Sequence, residues 1–184
     1  MNRKLGTIAF LSALAMSGNA LADGWSWAPF KQDGWKPEFT LAGVVGSMNP
    51  DNGNSDQYTG GELSLNCPWF QPPTGSIRQQ FNIGYYNQDN MSVTSFEMNP
   101  NYFVSIGKGW TVGAGPGIGY VRAVIDDQMA SLSSFQLSTN LNYRSGHFFA
   151  GLGARYQDTR DKEIAPGKFG ADNWLVAAKF GINF

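Results

Sequence analysis

Ser145 and His147 stand two positions apart in "YRSGHFFAG", and they are the residues of this chain whose types suggest nucleophilic chemistry. A serine becomes a nucleophile only beside a base that a third group orients, so the pair needs a neighbouring carboxylate as well. His147 is the only histidine and Cys67 the only cysteine, so an intramolecular disulfide is excluded and no Cys/His metal constellation can form. Asp51, Asp56, Asp126 and Asp127 are acids in polar stretches, but their spacing matches no dedicated calcium loop, and no metal or other cofactor is expected. Seven charged residues form a different pattern: Glu38, Glu62, Arg78, Glu97, Arg144, Arg155 and Lys179 each alternate with apolar neighbours. Charges placed in that way are candidates for ion pairs on one face of a sheet, since an isolated buried charge is costly.

The elements that carry them read as strands. From Trp174 to Phe184 the chain alternates Trp174, Val176, Ala178, Phe180, Ile182 and Phe184 with Leu175, Ala177, Lys179, Gly181 and Asn183. A period of two is the strand period. The pattern recurs at roughly 36–47, 59–69, 76–87, 93–105, 109–122, 133–144 and 147–158, giving eight strands with the last at 173–184. In the fifth, Trp110, Val112, Ala114, Pro116, Ile118 and Tyr120 face one way, and Gly113, Gly115, Gly117 and Gly119 the other. Gly151 and Gly153 repeat the feature in the seventh, so these six glycines mark space on the polar face, for large inward groups such as Tyr86, Phe103 and Phe149 or for a ligand. Tight turns at 106–108 and 145–146 alternate with longer polar connections near 48–58, 123–132 and 159–172.

Mean hydropathy is −0.28, with 23 Gly and 14% aromatics. A soluble average with greasy alternate positions is what a transmembrane β-barrel yields, because every second residue faces a lumen that tolerates polarity. Trp110 to Tyr120 and Trp174 to Phe184 each span about 25 Å along the barrel axis at the usual rise and tilt, the height of an apolar band with an aromatic girdle at each edge. Trp69, Tyr85, Tyr102, Trp110, Tyr120, Tyr143, Tyr156, Trp174 and Phe184 are the expected interfacial aromatics. A soluble sandwich or lipocalin-like barrel would instead put the greasy face inside, and these aromatics would crowd so small a core.

Arg3 and Lys4, the apolar run Leu5–Met16 and Ala20-Leu21-Ala22 form a secretory signal over 1–22, too short at twelve apolar residues to span a bilayer. Without Arg3 and Lys4 the bases fall from 13 to 11 against 14 acids, about −3, and no basic stripe points to nucleic acid. Residues 23–35, "DGWSWAPFKQDGW", hold Trp25, Trp27, Phe30 and Trp35 and suit a periplasmic interfacial rim. The barrel is expected over 36–184.

With its leader, eight alternating strands and terminal "KFGINF", the chain resembles the small outer-membrane β-barrels, the class of the OmpA transmembrane domain, OmpX and OmpW. The resemblance is architectural and implies an all-β, eight-stranded antiparallel up-and-down transmembrane barrel. It also implies export to a bacterial outer membrane, contact with lipids and lipopolysaccharide, and recognition of the terminal Phe by the barrel-assembly machinery. Eight strands enclose room for side chains or one small ligand, not an open pore. The leading expectation is a structural or interaction role with no catalysis; the alternative is passage of small or hydrophobic molecules, for which Pro100 and Pro116 mark either a lateral gap or a bulge. A third is lipid A modification, as in the PagL and PagP families, but the Ser145-x-His147 order is reversed from PagL and its turn lies at the periplasmic end.

Overall fold

The computed structural model describes residues 26–27 and 36–184. Eight strands follow one another: β1 Phe39–Pro50, β2 Asp56–Asn66, β3 Ser76–Gln88, β4 Met91–Gly107, β5 Trp110–Ile125, β6 Gln128–Ser145, β7 Phe148–Thr159 and β8 Asn173–Asn183. Each pairs antiparallel with the next, and β8 returns to β1, so the sheet closes into an up-and-down barrel. Closure places Phe180 between Ala150 and Gly43, and Phe39 and Phe184 exchange backbone hydrogen bonds of 2.9 and 3.0 Å. The terminal strand therefore has no free edge.

Alternation along each strand sets the two faces. Leu41, Leu63, Phe81, Phe96, Ile118, Phe135, Leu152 and Phe180 point out, whereas Glu62, Gln80, Glu97, Asn101, Gln136, Asn142 and Arg155 are buried inside. Trp110 packs on Tyr143 and Phe39 on Phe184 at the edge where β8 ends, and Tyr156 packs on Trp174 at the opposite edge. Tyr85 and Tyr120 are exposed towards that second edge, Tyr102 donates to the Thr74 carbonyl near the first, and Trp69 is exposed in the turn joining β2 to β3.

Two connections depart from expectation. The 123–132 stretch is not a loop: β5 and β6 run on to Ile125 and Gln128 and turn at Asp126-Asp127, whose φ angles are 49° and 63°. A two-residue turn with both central residues left-handed matches the twist of a hairpin, and Asp tolerates that conformation better than most residues. β2 also sits earlier than 59–69, so Cys67 and Trp69 belong to the turn that follows it. At the loop end, length is carried by the 160–172 segment, with a small hairpin of Glu163–Ala165 against Lys168–Phe169. At the terminus end, the backbone of Ser26–Trp27 pairs with Phe70–Gln71 in the β2–β3 turn. The expected leader and the rest of the Trp-rich segment lie outside the described residues.

Candidate functional site

The lumen has two unlike halves. Between the aromatic edges, inward positions carry amides, hydroxyls and charges. Arg155 on β7 reaches across to Glu97 on β4 and also donates to Asn173 Oδ1 at 2.8 Å, with its guanidinium 5.9 Å from the Tyr58 ring centre. Lys179 on β8 pairs with Glu62 on β2 and donates to Asn140 Oδ1 on β6 at 2.9 Å. Gln80 donates to Glu62 at 3.1 Å, Gln136 to Asn99 at 2.7 Å and Gln157 to Gln136 at 3.0 Å. The Arg155–Glu97, Lys179–Glu62, Lys179–Asn140 and Gln136–Asn99 contacts join non-adjacent strands, so they brace the barrel as well as fill it. What remains is a cavity of ≈ 40 Å³, lined by Glu97, Asn99, Ser138, Asn140, Arg155 and Lys179 among others. That is room for a few water molecules.

The glycine wall is not bare. A Cβ at Gly113 would meet the Phe103 ring at 2.4 Å, one at Gly117 the Asn99 amide at 1.7 Å, and one at Gly151 the Asn142 amide at 2.5 Å. Gly115 faces Asn101, Gly119 faces Ser134, and Gly153 lies against Asn140 and Lys179. The space left by the missing side chains is thus taken by large and polar groups from neighbouring strands. Phe149 lies beside Gly151, whereas Tyr86 sits at the loop end over no such glycine.

Above the second aromatic edge the alternation changes phase chemically while its geometry continues. Inward positions become Met48, Tyr86, Met91, Val93, Val121, Ala123, Ile125, Ala130 and Leu132, all buried, and Ile164, Ala165 and Ala171 from the 160–172 segment close over them. Outward positions there include Gln57, Asn87, Arg122, Ser131 and Ser133. The interior here is apolar and the exterior mostly polar, with Val124 and Met129 as the apolar exceptions. Asn52 donates to the carbonyls of Phe169 and Gly170, Asn54 to Asp89 and Asn90 to Asp126, so all four loop-end connections are tied together. Lys168 bonds Asp126 at 2.9 Å. That bond, then the one from Asn90, holds the Asp126 carboxyl below its ordinary range. Sequence reading overlooked this cap, although Val121, Ala123, Ile125, Ala130 and Leu132 keep the period of two with polar and apolar positions exchanged.

At the terminus end, Arg78 pairs with the exposed Glu38 at 3.3 Å. Glu38 therefore lies at the mouth, not within the lumen. Arg144 is an expected ion-pair member, but among the described residues it forms no direct salt bridge, and its guanidinium lies 5.3 Å over the Phe149 ring. His147 Nδ1 is 3.0 Å from the Asn183 carbonyl oxygen, so its ring is oriented by backbone and not by a carboxylate.

The β4–β5 seam is interrupted without a bulge. Met98 pairs with Ile118 and Tyr102 with Ala114, so Pro100 and Pro116 fall opposite each other, yet positions 99–101 and 115–117 form no rungs. Two prolines at facing positions remove both donors of one rung. From inside, Ser138 donates to the Gly115 carbonyl at 3.5 Å and Gln136 to the Ile118 carbonyl at 3.4 Å.

Comparison with known proteins places this architecture. Neisserial surface protein A shares the fold at TM-score 0.54 and 12% identity, over 80% of this chain and 97% of that one. Ail, the attachment invasion locus protein of Yersinia pestis, does so at TM-score 0.51 and 12% identity, over 82% of this chain and 100% of that one. No family model matches the sequence, and no curated protein matches it. The fold is that of the small eight-stranded outer-membrane β-barrels.

Proposed function

We propose that this chain is a non-conducting outer-membrane barrel whose loop end forms a rigid docking platform at the cell surface. The observation that carries the reading is the chemical inversion along the strands: above the Tyr120/Tyr156/Trp174 edge the same sheet has an apolar interior and a polar exterior. Hydrocarbon would reject the polar exterior, so this part stands in water. A barrel needs no such extension to span a membrane, and a tied, packed extension presents a fixed surface without an ordering cost on binding. The platform is rich in acids, among them Asp51, Asp89, Asp126, Asp127, Asp161 and Glu163, against Arg122, Arg160, Lys162 and Lys168, which favours a basic partner surface. One fold neighbour, Ail, is by its name an attachment protein. In this reading 1–22 is the cleaved leader, 23–35 follows the periplasmic rim, outer-membrane lipid and lipopolysaccharide surround the apolar belt, and the terminal strand addresses the chain to the assembly machinery. His147 serves as a rim residue and not as a catalytic base.

Three measurements test it. A cysteine introduced at Asp127 is labelled by an impermeant maleimide on intact cells. Cells expressing the protein attach to a cationic polypeptide surface, and the Asp89→Asn/Asp126→Asn/Asp127→Asn variant attaches less. Liposomes containing the refolded protein take up small polar and apolar solutes no faster than protein-free liposomes. Uptake of a solute class would overturn the sealed lumen and favour the second reading, lateral passage at the Pro100–Pro116 seam. Lipid A mass spectra altered by expression would overturn the non-catalytic assignment.

A further inference from the structure

Charge on the outside of the loop end is sorted by height. The acids Asp51, Asp89, Asp126, Asp127 and Glu163 lie in the turns and in the 160–172 segment. Below them, on the outward positions of the wall above the Tyr120/Tyr156/Trp174 edge, the described residues carry two bases, Arg122 on β5 and Arg160 directly after β7, and a single acid, Asp158. Arg122 lies opposite Ser131 on β6, and the Arg160 backbone N–H donates to the Ser133 carbonyl at 3.0 Å, so the two bases flank Ser131 and Ser133. Both arginines are exposed, and among the described residues neither forms a salt bridge. Arg122 Nε donates to Met129 Sδ at 2.9 Å, which leaves its two terminal amino groups to face outward. The Tyr120 hydroxyl donates to Ser131 Oγ at 2.6 Å, so the Ser131 hydrogen remains to be given to another acceptor.

We infer that this wall holds a phosphate of lipid A, the membrane anchor of lipopolysaccharide, between Arg122 and Arg160, with Ser131 as a neutral donor beside them. The inference rests on the outward orientation of the loop end given under the proposed function. Arg122 follows Tyr120 by two residues and Arg160 follows Tyr156 by four. At the usual rise and tilt they stand about 5 Å and about 10 Å above the aromatic edge. The polar layer of a bilayer is about 5–8 Å deep on each side, and an arginine stem can bend towards it, so both guanidinium groups reach the phosphate level. Strand spacing puts their Cα atoms roughly 12 Å apart, close enough for two such side chains to converge on one group. A guanidinium matches two phosphate oxygens with parallel N–H donors. Exposed charge pairs are weak singly, but a lipid confined beside the barrel is present at high effective concentration. The acids stand farther out, beyond the phosphates that would repel them; Asp158 is the exception and opposes the bound group.

The test uses the full refolded chain in maltoside micelles, which carry no phosphate, with native mass spectrometry to read bound lipid A, dephosphorylated lipid A and phosphatidylethanolamine. Lipid A is expected to bind saturably. Arg122→Gln/Arg160→Gln should bind it at least tenfold more weakly, and Arg122→Lys/Arg160→Lys should recover part of the loss. Asp158→Asn should bind it as tightly as the parent or more so. Heat-modifiable migration shows that each variant is folded. The inference is overturned if the double Gln variant binds lipid A as well as the parent, or if dephosphorylated lipid A or phosphatidylethanolamine binds equally well. It is also overturned if inorganic phosphate at equal concentration displaces lipid A, since the site would then serve a free anion. Binding in micelles does not depend on which way the barrel is inserted. Arginine-dependent binding with an unlabelled cysteine at Asp127 on cells therefore overturns the surface platform and the lipopolysaccharide source together. A labelled cysteine without arginine-dependent binding overturns the wall site alone.

Discussion

Removing one member of the Glu97–Arg155 pair should cost far more than removing both. The two side chains are 2% and 6% exposed, and they join β4 to β7 across the lumen. In Glu97→Leu the Arg155 guanidinium keeps only the Asn173 oxygen at 2.8 Å and the Tyr58 ring, and its Nε is already unpartnered. In Arg155→Met the Glu97 carboxylate keeps the Asn99 amide at 3.4 Å. Breaking a buried pair at one end typically costs about 3–5 kcal/mol, whereas replacing both members by apolar groups is often neutral or favourable. The expected result is therefore a loss of about 3–5 kcal/mol for each single variant, a loss within about 1 kcal/mol for Glu97→Leu/Arg155→Met, and a coupling of about 3 kcal/mol or more. Urea unfolding of the barrel in lipid vesicles, read by tryptophan fluorescence, measures all four corners of the cycle. Each single variant should also draw water to its bare charge. Single losses below about 1 kcal/mol, or additive losses, would refute a lumen held by mutually compensating charges.

The two halves of β6 should respond oppositely to charge: Leu137→Lys in the lipid-facing belt should cost about 2–4 kcal/mol near the bilayer midplane, and Ser131→Lys on the water-exposed extension about 0.5 kcal/mol or less. In the buried cap, Leu132→Ala should cost about 2–5 kcal/mol through the cavity it leaves, on the same unfolding assay. Pro100→Val with Pro116→Val restores two backbone donors at the interrupted seam and should stabilise by about 0.5–1.5 kcal/mol for each hydrogen bond formed, with slower amide exchange at Met98 and Ile118. The Asp126 carboxyl, held low by Lys168, should titrate below its ordinary value of 3.8, and Lys168→Met should bring it back up. Because the folded value is the lower one, this contact contributes above the unfolded pKa and is lost as pH falls through the folded one; carboxyl NMR between pH 2 and 6 reads it, as roughly the window in which aspartates titrate.

The sequence by itself determined the strand period, the number of strands, the face of most strand residues and the closure of β8 on β1, though not that Glu38 sits at the mouth or that Cys67 and Trp69 fall in a turn. Those follow from local alternation and from the need to hide an edge, and Phe180 or Glu62 takes its side of the sheet whatever lies across the barrel. It also contained the loop-end cap in Val121, Ala123 and Ile125, obscured because polar Arg122, Asp126 and Asp127 interrupt the run and resemble a loop. Only the tertiary structure decided that Arg155 finds Glu97 rather than Glu62, that Arg144 finds a ring instead of an acid, and that Pro100 meets Pro116. Such partners are set by the stagger between strands and by distances across the lumen. Both arise when eight strands close together, and neither is a property of any one of them.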